Sequence, residues 1–137
     1  MRKITSVRYS AAAFNISMLL LRLGVGLALL CWHGIPKMMQ FAELQHKFAD
    51  PFGFGQKISL ILAIFAEVFC SIFLILGLFT RLAAVPILIL LLVALFVIHI
   101  PHGGLKGGEL ALLYLLPVIT LLLCGAGRIS VDGMMGK

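Results

Sequence analysis

A few ionisable side chains lie inside long apolar stretches of this sequence, and their types could support chemistry there. Glu67 stands in the segment IFAEVFC, where almost every neighbour is apolar. A charge inside a membrane is costly, so such residues usually pair with one another or mark a functional site. The candidates are Arg22, His33, Glu67, His99 and Glu109, with His102 just beyond the third apolar run.

Arg22 and Glu67 are predicted to form a buried ion pair. Arg22 and His33 are eleven positions apart, so at about 100° per residue they share one face of a helix. If the first two spans are antiparallel, Arg22 and Glu67 differ in depth by only about 5 Å, at about 1.5 Å per residue. Two interpretations stay open. In the first, the pair only fixes the register and rotation of the two helices. In the second, Glu67 also binds a proton or a ligand.

A second polar cluster is predicted at the other ends of the spans. Its members are His33, Lys37, His99, His102 and Glu109. Such side chains could border one pocket and hydrogen-bond a carbonyl, for example that of a quinone headgroup. A metal centre has less support, because no His-x-x-x-His or Cys-x-x-Cys spacing occurs. A haem held by His33 and His99 is a further alternative that their depth permits. No catalytic residue is assigned, because no nucleophile–base pair or nucleotide-binding loop occurs.

The composition indicates an integral membrane protein with one domain, residues 1–137. The chain is 62% hydrophobic and 12% charged, whereas a soluble domain carries about 25% charged residues. Too few charges are present to cover a water-facing surface. The net charge of +6 is therefore expected to contact anionic lipid headgroups on the cytoplasmic side. Nucleic-acid binding is not expected, because no basic stripe with interleaved aromatic residues occurs.

Four apolar runs are predicted to be transmembrane helices, because a span needs about 20 apolar residues. They cover about 14–35, 58–78, 82–100 and 109–125, and the last is short. Pro36 is expected to end the first helix, since proline interrupts the helical hydrogen bonds. The predicted fold is therefore all-α, a four-helix transmembrane bundle in up-down-up-down order.

The basic residues predict that both termini face the cytoplasm. The side of the termini would hold six of them, Arg2, Lys3, Arg8, Arg81, Arg128 and Lys137. The opposite side would hold four, Lys37, Lys47, Lys57 and Lys106. The polar cluster around His33 and His99 then lies toward the outer face of the membrane.

Several of these residues together resemble a known family. The segments LLLRLGVGLALLCWHGIPKM (19–38) and LGLFTRLAAV (76–85), with Glu67 between them, are similar to the DoxX family of small four-helix membrane proteins. The matching motif positions are Arg22, Gly26, His33, Gly34, Lys37, Glu67, Gly77 and Arg81. One departure is that family members often have glycines shortly after the acid, where this chain has Cys70 and Ser71.

The resemblance implies a function linked to oxidoreductases. The family takes its name from a subunit of a thiosulfate:quinone oxidoreductase, and related members are linked to membrane oxidoreductase complexes and thiol-stress responses. It implies a multi-pass protein of the bacterial inner membrane that is a subunit or partner of a quinone-linked system, rather than an enzyme catalytic alone. A quinone is the candidate cofactor, and lipids with a partner subunit or a second copy are the expected partners.

Two rival functions come from other classes. A non-catalytic scaffold, assembly factor or oligomer-forming protein predicts a packed bundle without a ligand cavity. A small transporter would need a polar path that joins the two polar clusters.

Overall fold

The computed structural model describes residues 6–48, 50 and 53–136, without the side chains of residues 99, 100, 102, 103 and 105. All regular secondary structure in these residues is helical. In chain order the helices are α1 (Ala11–Met39), α2 (Phe41–Leu44), α3 (Gln56–Leu76), α4 (Thr80–Ile98), α5 (Ile100–Gly107), α6 (Glu109–Cys124) and α7 (Val131–Met134).

Three helices of the described chain, α1, α3 and α4, are long and apolar enough to cross a membrane by length and composition. This confirms the helical character of the chain and shows three apolar helices of membrane-span length in the regions of the first three predicted spans. The fourth apolar helix, α6, has 16 residues, fewer than the about 20 that a span needs.

The prediction that Pro36 ends the first helix is wrong, because α1 continues to Met39. A π-helical turn, Leu30–Gly34, comes immediately before the proline. In that turn the amide of Ile35 donates to the carbonyl of Leu30, five residues back. The regular ladder is therefore already interrupted where Pro36 lacks an amide proton, and the helix resumes with Pro36 in its first turn.

The four long helices pack in a ring around an apolar core. α1 contacts α3 and α6, and α4 contacts the same two helices. Leu74, Ile87, Val118 and Leu121 are fully buried in the centre. The outside of the ring is also apolar, since about half or more of side chains such as Leu62, Phe69 and Leu82 is exposed. An apolar exterior over an apolar core is the pattern of a helix bundle in lipid.

Glycines bring α1 and α3 into close antiparallel contact. A Cβ added to Gly26 would lie 2.6 Å from Ile75 Cγ1, and one added to Gly34 would lie 2.9 Å from the carbonyl oxygen of Glu67. Gly34 comes after Gly26 on α1, but it contacts an earlier residue of α3 than Gly26 does. The two helices are therefore antiparallel. Ser71 stands where members of the resembled family often have glycine. It is buried, and its small side chain permits the close approach of the two helices.

Candidate functional site

The predicted ion pair between Arg22 and Glu67 is wrong. Arg22 is 1% exposed, and its guanidinium donates to backbone carbonyls instead of a carboxylate. Nη1 donates to Leu74 and Ile75 at 3.2 Å. Nε donates to Ala126 at 3.1 Å, and Nη2 donates to Ile129.

The offset of α1 along α3 explains this error. Arg22 lies beside Leu74 and Ile75, in the last turn of α3. Glu67 is seven residues before Leu74, or about 11 Å along the helix. The first turns of α1 extend past the end of α3, and the segment 125–136 packs beside them: a Cβ on Gly127 would meet Met18 Cβ at 3.1 Å. The depth estimate from sequence assumed that the first span begins at the membrane surface where the second span ends.

Glu67 instead forms an ion pair with Lys37. Lys37 Nζ contacts Glu67 Oε1 in the only ion pair between described residues. The Glu67 side chain is 5% exposed and that of Lys37 is 23% exposed, so the carboxylate is inside the bundle and the ammonium is near its edge. Lys37 Nζ also lies 5.8 Å from the centre of the Phe48 ring, a distance typical of a cation–π contact.

The second oxygen of the Glu67 carboxylate has no hydrogen-bond partner among the described residues. Oε2 is buried and accepts no hydrogen bond from any described residue. A buried acceptor left unsatisfied costs about 1–3 kcal/mol, and more for a charged group. Glu67 therefore has one oxygen held by Lys37 and one available to a proton or to a donor on a ligand.

Glu67 and His33 both lie in π-helical turns. Glu67 belongs to the turn Phe65–Cys70 of α3, and His33 belongs to the turn Leu30–Gly34 of α1. The two turns contact each other. Single π-helical turns inside α-helices occur frequently at functional sites, because they redirect side chains that a regular helix would place elsewhere.

His33 and Tyr114 bring a third helix to this region. Their rings meet edge to face, with 5.5 Å between centroids and an interplanar angle of 89°. The charge of Glu67 acts on both rings. We call His33, Lys37, Glu67 and Tyr114 the lysine–glutamate site. It combines one acid, one cation and two polar rings from α1, α3 and α6.

An apolar groove of about 380 Å³ lies beside this site, between α1 and α6. Tyr114 and Trp32 line it, together with Leu20, Leu21, Gly24, Val25, Ala28, Leu110, Leu113 and Pro117. Gly24 leaves space there, since a Cβ on it would meet no atom within 4 Å. The sequence analysis did not find this groove. Its signals were Gly24 on α1 and Tyr114 within an otherwise apolar helix.

Among the remaining predicted pocket residues, only Glu109 has a described side chain, and it is not joined to this site. Glu109 opens α6 and is exposed, and it makes no hydrogen bond or ion pair with a described residue. The side chains of His99 and His102 lie outside the described part of the chain, so their place in a wider pocket stays a prediction. The described residues contain no group of three or more His, Cys, Asp or Glu side chains that could hold a metal ion.

Asp132 is a key residue that the sequence analysis missed. Its carboxylate accepts hydrogen bonds from the amides of Phe79, at 2.9 Å, and Thr80, at 3.0 Å. Phe79 has a φ of 49°, an uncommon conformation for a bulky residue. The amide of Asp132 also donates to Gly77 at 2.9 Å. The C-terminal segment thus stabilises the tight turn between α3 and α4, and the turn-forming sequence SVDG was the available signal.

Comparisons with known proteins give matches to a family and to individual relatives by sequence. A model of the DoxX family matches residues 17–100. An uncharacterized protein of Haemophilus influenzae is 34% identical over 101 residues, which are 71% of this chain and 67% of that protein. A second uncharacterized protein of the same organism is 39% identical over 84 residues, which are 57% of this chain and 63% of that protein. The chain therefore spans about two thirds of the length of each relative. No solved structure matches.

Proposed function

Because this membrane protein belongs to the DoxX family, we propose that it is a subunit or partner of a quinone-linked oxidoreductase system in a bacterial inner membrane. The main support is the Lys37–Glu67 pair, in which the buried Oε2 of Glu67 has no partner in the described part of the chain. An apolar groove that shares Tyr114 with the same site adds support. A quinone has an apolar tail and a headgroup with two carbonyls, which suits a groove beside a few polar groups.

In this proposal α6 is the fourth span and both termini face the cytoplasm. The two terminal regions are tied together, since the amide of Arg128 donates to Asn15 Oδ1 at 2.8 Å. Lys37 and Glu67 then lie in the outer half of the membrane, where quinone headgroups reside at the lipid–water boundary.

The residues of this chain would bind the headgroup and manage its protons. Reduction of a quinone to a quinol takes up two electrons and two protons, one proton on each carbonyl oxygen. Lys37 and a ring N–H of His33 are donors for one carbonyl. The Glu67 carboxylate, whose Oε2 accepts no hydrogen bond from a described residue, can take up one proton from water and pass it to one carbonyl oxygen, and the other carbonyl oxygen takes the second proton from water. The electrons come from a redox centre of the partner subunit.

The alternative function is a non-catalytic scaffold or assembly protein. The observation that favours it is Arg22, whose hydrogen bonds all go to backbone carbonyls that join α3 to the C-terminal segment. Such an arrangement serves stability and needs no ligand. The two functions differ in one respect that can be measured, the binding of a quinone in the groove.

Trp32 provides the measurement. It is the only tryptophan of the chain, lines the groove and is 74% exposed. Quinones quench indole fluorescence at close range. In detergent, a short-chain ubiquinone should quench Trp32 with a saturable curve, and Gly24→Leu should remove that curve by filling the groove.

The matched control is Leu27→Phe, a bulky change on the exposed surface of the same helix outside the groove. It should leave quenching unchanged. Equal, non-saturable quenching of the wild type and both variants would mean that the quinone only partitions into the micelle. The scaffold function would then be the better explanation.

A further inference from the structure

A larger cavity, of about 880 Å³, opens at the end of the bundle opposite the lysine–glutamate site. We call this the arginine end, where α1 and α4 begin and α3 and α6 finish. Asn15, Thr80, Arg81 and Arg128 contribute polar groups to the lining, and the glycine-containing segment 125–127 forms part of the wall. The proposed quinone function does not use this cavity.

Two guanidinium groups line the cavity without a carboxylate partner among the described residues. Arg81 donates one hydrogen bond, from Nη2 to the carbonyl of Leu123 at 3.2 Å, so most of its N–H groups remain available. Arg128 is exposed, and its side chain makes no hydrogen bond with the described chain. The cavity therefore holds two cationic donor groups.

Asp132 also lines the cavity and offsets one of these two positive charges. Both of its carboxylate oxygens already accept backbone amides, those of Phe79 and Thr80. Its charge also acts on the buried guanidinium of Arg22. With two arginines and one aspartate, the charged side chains of the cavity lining sum to +1.

Thr80 supplies a further polar group. The residue is 1% exposed, and its hydroxyl has no hydrogen-bond partner in the described chain. Native proteins leave few buried polar groups unsatisfied, and each one calls for an explanation such as a missing ligand. The hydroxyl belongs to a residue of the cavity lining, so an anion that enters there is a candidate partner.

We infer that this cavity binds a phosphate-bearing anion. Arginine forks match phosphate oxygens in charge and in bidentate geometry, and the Thr80 hydroxyl adds a neutral donor. The cavity lies where the helices leave the apolar layer, which is the depth of lipid phosphates. Basic pockets at this depth bind anionic lipid headgroups. The shared chemistry is a phosphate ester, and its two sources are an anionic lipid and a soluble phosphate.

The test is titration of the full chain in detergent, with binding followed by native mass spectrometry. The probes are dioleoylphosphatidic acid, dioleoylphosphatidylcholine and inorganic phosphate. Phosphatidic acid should bind saturably and phosphatidylcholine should not. The double variant Arg81→Gln with Arg128→Gln should bind phosphatidic acid about tenfold or more weakly, because charge-assisted hydrogen bonds are lost. Competition by inorganic phosphate at equal concentration would identify the soluble source instead of the lipid.

The matched control is Lys47→Gln with Lys57→Gln, which removes the same charge from exposed residues outside the cavity. It should bind phosphatidic acid like the wild type. Arg81 also contacts the end of α6, so its replacement affects the fold as well as binding. Arg128→Gln alone removes no side-chain hydrogen bond with the described chain, and it should weaken phosphatidic acid binding severalfold. Equal affinity in the arginine variants and the lysine control would overturn the inference.

Discussion

Arg22 shows that a buried arginine on an apolar helix does not require an acidic partner in direct contact. Its guanidinium has five N–H donors, and it makes four hydrogen bonds, to the last turn of α3 and to the segment after α6. The final carbonyls of a helix lack the usual helical donors, so the guanidinium satisfies them and is satisfied in return. The Glu67 carboxylate pairs instead with a different cation, the ammonium of Lys37.

Double-mutant cycles should show which of the two cations, Lys37 or Arg22, is energetically coupled to the Glu67 carboxylate. Lys37→Leu and Glu67→Leu should each destabilise the protein, because each strands a charge. The double variant should recover about 1–3 kcal/mol of the summed loss, since contacting residues couple. Arg22→Gln and Glu67→Leu should add within about 0.5 kcal/mol, because the residues share no partner. Thermal and urea melts in detergent measure all five variants, and strong coupling of Arg22 with Glu67 would contradict the observed pairing.

Two buried serines differ in whether their hydroxyls are satisfied, and this predicts opposite effects of alanine. Ser71 Oγ has no partner in the described chain, whereas Ser59 Oγ donates to Asp50 Oδ1 at 3.1 Å. Ser71→Ala should be neutral or stabilising, because it removes an unsatisfied group. Ser59→Ala should cost about 1 kcal/mol, the net value of a typical hydrogen bond. Melting temperatures of the two variants, compared with the wild type, give the order, and a clear loss at Ser71→Ala would indicate a partner for that hydroxyl.

At the scale of the elements, glycines set how closely α1 approaches α3. A Cβ on Gly34 would lie 2.9 Å from the carbonyl oxygen of Glu67, whereas one on Gly26 would meet mainly the Ile75 side chain and, at 3.1 Å, the carbonyl oxygen of Ser71. Backbone cannot move aside, whereas the end of a side chain can rotate. The Gly34 contact also sets the position of the π-helical turn that carries Glu67, so it supports the lysine–glutamate site directly.

Alanine at three glycines of α1 should therefore give a graded series. Gly34→Ala should destabilise most, because its Cβ would lie 2.9 Å from the Glu67 carbonyl oxygen. Gly26→Ala should cost less, since Ile75 can adjust. Gly24→Ala meets open space and should be neutral or stabilising by up to about 1 kcal/mol, the helix-propensity gain. Melts of the three variants test the series, and a large loss at Gly24→Ala would show that the groove is filled in the membrane.

At the scale of the whole molecule, the C-terminal segment closes the bundle at the arginine end. Arg128 is hydrogen-bonded to Asn15 of α1, and Asp132 to the turn before α4. These contacts place the beginning of α1 and the chain after α6 together. Two chain ends at one end of a bundle require an even number of crossings, which favours α6 as a fourth span.

Cysteine labelling in intact cells tests this topology. After Cys31, Cys70 and Cys124 are replaced by alanine, an impermeant maleimide should label Ala42→Cys from outside. Ser6→Cys and Met134→Cys should label only after the membrane is opened, because both belong to the arginine end with its basic residues. Labelling of Met134→Cys together with Ala42→Cys would mean that α6 does not cross. The inverse pattern at all three positions would reverse the orientation.

The sequence by itself determined the apolar, membrane-type helices and two of the buried polar residues, Arg22 and Glu67, because apolar run length and composition are local properties that a bilayer constrains strongly. It also identified Arg22, Gly26, Gly34, Lys37 and Glu67 as important positions, through their resemblance to one family. Only the tertiary structure decided which of them meet. The partner of Glu67 depends on how far α1 slides along α3, and that offset follows from glycine contacts and from the docking of the C-terminal segment. Both are long-range packing effects, which a local pattern of residues does not predict.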